Sequence, residues 1–284
     1  MDTNKGAGDR AVAARTAAIV YDFDGTLAEG SMQEHGFIPQ LGVDKDTFWA
    51  GVKVEAEKHD ADEVLVYMWR MIEEARKKGI RITRDALKTH GRDVPLFNGV
   101  ATWFGRINRH AAELGLKLEH YIISSGNEEM IDGCSIRSEF KRVFASRYIY
   151  DADGNAAWPG VGVNYTTKTQ FLFRINKGIE TTWDNKAINK WVPMAKRPVP
   201  FERMIFIGDG DTDIPAMKMV RHQGGHSLAV CDPKRWKSPD VQLRMQSLIA
   251  EDRVHFVAPA DYSESEQLDV TVKGILRMYA GRPT

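Results

Sequence analysis

The chain has 284 residues, 43% hydrophobic and 27% charged, which fits a soluble globular protein of one large or two modest domains. Lys plus Arg and Asp plus Glu both number 39, so no net field draws it to nucleic acid or to an anionic membrane. Two distant cysteines, Cys134 and Cys231, argue against a disulfide framework or a thiolate zinc site, and no stretch approaches the ~20 consecutive apolar residues of a membrane span.

In chain order, the opening "MDTNKGAGDRAVAARTAAIV" has basic residues and alanines but no apolar segment of its own beyond the strand that follows, which reads as no signal peptide and a cytoplasmic setting. "AAIVYDFDG" (17–25) reads as a buried strand running into Asp22 and Asp24 and turning on Gly25. Carboxylates at the end of a core strand are costly to desolvate unless positive charge meets them. The plain alternative is a tight Asp-Gly turn with two solvated acids. Residues 31–93 carry no convincing strand and read as a small helical domain inserted after the first strand, with 1–30 and 94–284 forming the core. Within it, 61–79 places Val64, Tyr67, Met68, Met71, Ile72 and Ala75 on one helical face, read as that domain's own core. "TRDALKTHG" (83–91) opens at Thr83 as N-cap and closes at Gly91.

The core then alternates. A helix over 99–115, with Val100, Trp103, Phe104, Ile107 and Ala111 on one face and Gly115 as its stop, precedes the strand "HYIISSGN" (120–127). A strand "RVFAS" (142–146) leads into a hairpin over 146–160 turning at Asp153-Gly154. A helix over 168–178 and an irregular stretch over 179–202 separate these from strands at 203–211, 227–232 and 253–261. Short apolar strands alternating with helices imply an α/β fold, a doubly wound parallel sheet with a Rossmann-like core. In such sheets ligands gather at the strand C-termini.

Two of those ends are acidic: Asp22 with Asp24, and "FIGDGDTD" with Asp209, Asp211 and Asp213. Facing each other across one crevice they would repel unless a cation lay between, and oxygen-only ligands with few histidines suit a hard ion such as Mg²⁺. "IISSGN" offers Ser124, the Ser125 hydroxyl and backbone N–H groups near Gly126 at a helix start, a common way to hold an anion. Lys168, opening its helix, adds a point charge to the same anion. Carboxylate, metal, hydroxyl, amides and ammonium together describe a site for a phosphoryl group. Competing readings fail on spacing. "DGDTDI" has Ile214 and Val220 where a calcium loop needs Gly and Glu, "DADGNA" (151–156) misplaces its glycine, and "GDGDTD" has Asp213 at the third glycine of a dinucleotide fingerprint. His222 and His226 flank two glycines, a poor helix for zinc ligands.

With "DFDGT" (22–26), "IISSGN" (122–127), the lysine of "TTKTQ" (166–170) and "GDGDTD" (208–213) in this order, the chain resembles the haloacid dehalogenase superfamily, within it the phosphoserine-phosphatase-like phosphohydrolases. The likeness covers roughly residues 14–232, and the insertion at 31–93 lies where such proteins carry a cap. It implies that Asp22 is the nucleophile and Asp24 the general acid/base. It implies that Ser124 holds phosphoryl oxygens and that Lys168 offsets charge on them and on Asp22. Asp22, the Asp24 backbone carbonyl and Asp209 would ligate Mg²⁺, with Asp213 supporting its water shell. Asp24 sets the chain apart from the dehalogenase branch. The glutamate that phosphoserine phosphatases carry nine residues after the nucleophile falls here on Ser31, with Glu29 and Glu34 close by, which weighs against phosphoserine as the substrate. The expectation is a Mg²⁺-dependent hydrolase of a small phosphate ester. A phosphomutase or phosphotransferase with the same residues is one alternative, and a non-catalytic regulator that binds phosphate ligands is the other.

Overall fold

The structure, a computed structural model, describes residues 15–281, so the reading of the first residues as carrying no leader falls largely outside it. The chain runs from β1 (Arg15–Tyr21) into five helices, α1 (Met32–His35), α2 (Phe37–Gln40), α3 (Lys45–His59), α4 (Glu63–Lys77) and α5 (Arg84–Gly91). Then come α6 (Val100–Glu113), β2 (Leu116–Asn127), the single turn α7 (Glu128–Ile131), β3 (Arg142–Tyr150), β4 (Ala156–Val161), α8 (Thr167–Lys177) and α9 (Asn185–Asn189). The last third holds β5 (Met204–Gly208), α10 (Ile214–His222), β6 (His226–Cys231), α11 (Pro239–Ala250), β7 (Phe256–Pro259) and α12 (Gln267–Gly281).

The strands form one seven-stranded sheet in the order β4-β3-β2-β1-β5-β6-β7, the doubly wound α/β arrangement expected. Strand β1 lies at its centre because both its faces are apolar: Ala17, Ile19 and Tyr21 join one hydrophobic cluster, Ala18 and Val20 the other. The first cluster includes Trp103 and Ile107 of α6 and Leu268 and Ile275 of α12; the second includes Phe171 of α8, Met217 of α10 and Met245 of α11. Helices thus cover both faces, which is why the strands carry continuous apolar runs rather than alternation. One edge departs from the expected all-parallel sheet. The strand predicted at 142–146 and the hairpin predicted at 146–160 share a single strand: β3 pairs parallel with β2 as far as Ser146 and antiparallel with β4 from Arg147. Its turn falls at the expected dipeptide, with Gly154 at φ 77°.

Between residues 31 and 93 the described structure is helical, without a strand. The stripe read from α4 is buried throughout, from Val64 to Ala75. Phe37, Phe48, Met68 and Met71 of this segment belong to the same contiguous cluster as Ile19 and Trp103, so its apolar faces and one face of the sheet share a core. Among the described residues, no helix is long and apolar enough to cross a membrane.

Candidate active site

Strands β1 and β5 are neighbours, and from them the sheet order runs outward in opposite directions, which opens a crevice beyond their C-terminal ends. Asp22 follows β1 directly and stays tied to the sheet, its backbone N–H donating to the Ile207 carbonyl at 2.9 Å. It is 5% exposed, so the turn that follows is a tight Asp-Gly turn but its first acid is not solvated. Gly25 has φ 69°, and a Cβ there would come within 2.2 Å of Asp209 Oδ2; only glycine lets this turn lie against the second acidic strand end.

Positive charge does meet the carboxylates. Lys168, in the first turn of α8, is fully buried, with Nζ 2.6 Å from Asp213 Oδ1, 3.0 Å from Asp22 Oδ2 and 3.3 Å from Thr212 Oγ1. Burial alone would lower its pKa, but Asp213 and Asp22 outweigh that and hold it above the usual lysine value. Asp22 Oδ1 accepts the Phe23 N–H at 2.7 Å, fixing the carboxylate plane. Asp24 is turned differently: its Oδ1 accepts the Met32 N–H at 2.8 Å, and its Oδ2 lies where a Gly126 Cβ would be 2.8 Å away. Burial, then the charge of Asp22, pushes Asp24 up to about 8.

One lysine does not balance this many acids. Burial and the charges of Asp22 and Asp213 raise Asp209 well above the carboxylate range, and burial and Asp22 raise Asp213. Carboxylate oxygens of Asp22, Asp209 and Asp213 all lie within 4.8 Å of one another. A crowded, oxygen-only, partly buried donor set with surplus negative charge fits a hard divalent cation. Asp211, which spacing grouped with these acids, is exposed and turned away to Arg244 (3.2 Å).

The strand end of β2 faces the same crevice. Ser124 is fully buried and its Oγ accepts the Gly126 N–H at 3.0 Å. Among the described residues the buried Ser125 Oγ has no hydrogen-bond partner, and Ser125, Gly126, Asp22, Asp24 and Asp209 line one cavity of about 360 Å³. The helix expected to open here is corrected: β2 runs on through Asn127 and α7 is a single turn, so no long helix aims its N-terminus at the site. Two contributors escaped the sequence reading. Thr212 contacts the lysine, and Tyr67 of α4 donates its hydroxyl to the Ser125 carbonyl at 2.7 Å, joining the helical segment to the end of β2. Tyr67's place in an apolar stripe had marked it as core alone. His222 and His226 lie on different elements, α10 and β6, and His226 Nδ1 lies 2.9 Å from the Tyr279 hydroxyl.

The sequence profile of the haloacid dehalogenase-like hydrolases matches residues 19–218, more than half of the chain. An uncharacterised protein of Borreliella burgdorferi is 27% identical over 279 residues, covering 88% of this chain and 93% of the relative. Among solved structures, a haloacid dehalogenase family hydrolase from Salmonella enterica serovar Typhi is similar with TM-score 0.56 at 14% identity, over 91% of this chain and 70% of that one. A substrate-bound phosphoserine phosphatase is similar with TM-score 0.55 at 15% identity, over 92% of this chain and 98% of that one. At these identities the structural likeness is one of fold.

Proposed function

This chain belongs to the haloacid dehalogenase-like hydrolases, and on that footing we propose that it hydrolyses a phosphate monoester through an aspartyl-phosphate formed on Asp22. The observation that carries the reading is the meeting, in one crevice, of Asp22 held by Lys168, Asp24 one turn away, and Ser124 with the unpartnered Ser125 hydroxyl.

Asp22 is oriented by the Phe23 N–H on Oδ1 and Lys168 on Oδ2, and attacks phosphorus in line with the ester oxygen. As the P–O bond breaks, the alcohol oxygen takes its electron pair and a proton from Asp24. Asp24 is positioned for this because Met32 occupies one of its oxygens and leaves the other toward Gly126. Asp24, now ionised, then accepts a proton from water as that water attacks the same phosphorus, and Asp22 leaves as carboxylate with inorganic phosphate. The Ser124 and Ser125 hydroxyls hold the phosphoryl oxygens, the Gly126 N–H fixing the Ser124 hydroxyl, and Lys168 offsets their charge. Asp22, Asp209 and the Asp24 backbone carbonyl, with Asp213 behind them, would hold Mg²⁺, which when bound adds positive charge against those oxygens.

The test is Asp22→Asn. An amide oxygen is a poor nucleophile, so the folded variant should lose at least about 1,000-fold in phosphate release, roughly 4 kcal/mol of barrier. Digests of the wild-type protein quenched during turnover should carry the phosphate mass on the peptide containing Asp22. A variant that keeps a tenth of the wild-type rate would show that Asp22 is not the nucleophile.

A further inference from the structure

A second cavity, of about 320 Å³, opens from the first: Asp24, Ser31, Ser125, Gly126 and Thr212 line both. Under the phosphomonoesterase reading, on which this inference rests, a phosphoryl group beside Asp22 would direct its leaving alcohol into this second space.

The buried part of the walls is apolar and aromatic. Val52 and Val64 are 3% and 8% exposed, and Trp49 and Tyr67 meet edge to face at 5.8 Å. Tyr67 has already given its hydroxyl to the Ser125 carbonyl, so it presents a ring, and the ring of Tyr165 completes the wall. Gln33 is committed at both ends: its Oε1 accepts the Ser31 hydroxyl at 2.6 Å and its Nε2 donates to Asn127 Oδ1 at 3.0 Å. Two further charged side chains, Lys53 and Glu63, line the cavity and are exposed to solvent. The glutamates near Ser31 are occupied elsewhere. Glu29 pairs with Lys234 at 2.7 Å, while Glu34 accepts the Trp49 indole N–H at 2.8 Å and pairs with Lys45 at 3.4 Å, and neither lines the cavity. An ammonium or carboxylate pressed against these apolar and aromatic walls would be desolvated, which is expensive. An apolar ring would be favoured by burial and by the aromatic walls.

We infer that the second cavity selects phosphate esters whose alcohol carries an uncharged aromatic or branched apolar group of one to two rings, in place of an amino-acid head. The volume, at the small end of ligand cavities, sets that size.

The experiment compares two non-hydrolysable probes on the same two-carbon spacer, 2-phenylethylphosphonate and 2-aminoethylphosphonate, by titration calorimetry with the full chain and Mg²⁺. The phenyl probe should bind at least about tenfold more tightly. Tyr165→Ala, at a residue 46% exposed, should reduce that ratio at least about threefold. Equal or tighter binding of the amino probe, or an unchanged ratio in the variant, overturns the assignment. Turnover of 2-phenylethyl phosphate is measured separately. Tight, ring-selective binding without any phosphate release would sustain the cavity's selectivity and overturn the phosphatase reading, so the two can fail independently.

Discussion

The Lys168 ammonium lies between Asp213 and Asp22 with no solvent exposure, 2.6 and 3.0 Å from their oxygens. A buried ion pair adds little net stability over an apolar replacement of both partners, but removing one partner strands the other. Lys168→Met keeps the stem and leaves two facing carboxylates, so in the presence of chelator it should cost about 3 kcal/mol, read as a lower urea midpoint at unchanged slope. An unchanged midpoint would mean that this ammonium does not balance the acids. The gathering of Asp22, Asp24, Ser124, Lys168 and Asp209 was legible because each lies at a strand end or a helix start, and the strand ends of a parallel sheet share one edge. Direction within a turn was not legible. Asp211 stands two residues from both Asp209 and Asp213, yet faces Arg244 in solvent. Tyr67 was hidden for a related reason: helical periodicity reports which face is buried, and says nothing of where a hydroxyl at the rim of that face ends.

Helix α5 turns on what a glycine is for. Gly115 and Gly178 both have φ 71° and stop α6 and α8 as the sequence implied. Gly91 was read in the same way but is not among the positive-φ glycines; it is the last residue of α5, and a Cβ on it would lie 1.8 Å from the Met130 carbonyl oxygen. Gly133 answers from the other side, where a Cβ would lie 1.8 Å from the Lys88 carbonyl oxygen. The two segments interlock backbone to backbone, just beyond the strand end that carries Ser124 and Ser125. Helix propensity would favour Gly91→Ala by up to about 1 kcal/mol, but a backbone oxygen cannot rotate away as a side chain can. Overpacking should win, for a net loss of about 2 kcal/mol in urea unfolding; a stabilised variant would mean that the segments are not in close contact. This use of glycine is tertiary, so no local pattern could reveal it. The strands of the core were legible from their apolar runs, whereas α3 was not singled out because it buries only Phe48, Val52 and Ala56, a stripe one residue wide at four-residue spacing.

Over the whole chain positive and negative residues cancel, 39 against 39, yet the fold does not distribute them evenly. It brings Asp22, Asp24, Asp209 and Asp213 to one crevice with Lys168 as the buried cation among them. The same apolar core that fixes β1 and β5 side by side also holds these acids together, so the local repulsion is a cost carried by the native state and absent from the unfolded chain. A cation that binds only the native crevice should therefore stabilise the entire molecule. At a hundred times its dissociation constant the gain is about 2.7 kcal/mol, which for a chain of this size corresponds to a rise of roughly 5 °C in the unfolding midpoint. The measurement is thermal unfolding in excess chelator and in saturating Mg²⁺. Asp209→Asn separates this from a general salt effect. It removes one ligand and one acid that is costly to ionise in this crevice, so the variant should melt higher than wild type in chelator while losing most of the Mg²⁺-dependent rise. Identical midpoints for wild type with chelator and with Mg²⁺, or a full Mg²⁺ response in the variant, would show that the acidic crevice is not a divalent-cation site.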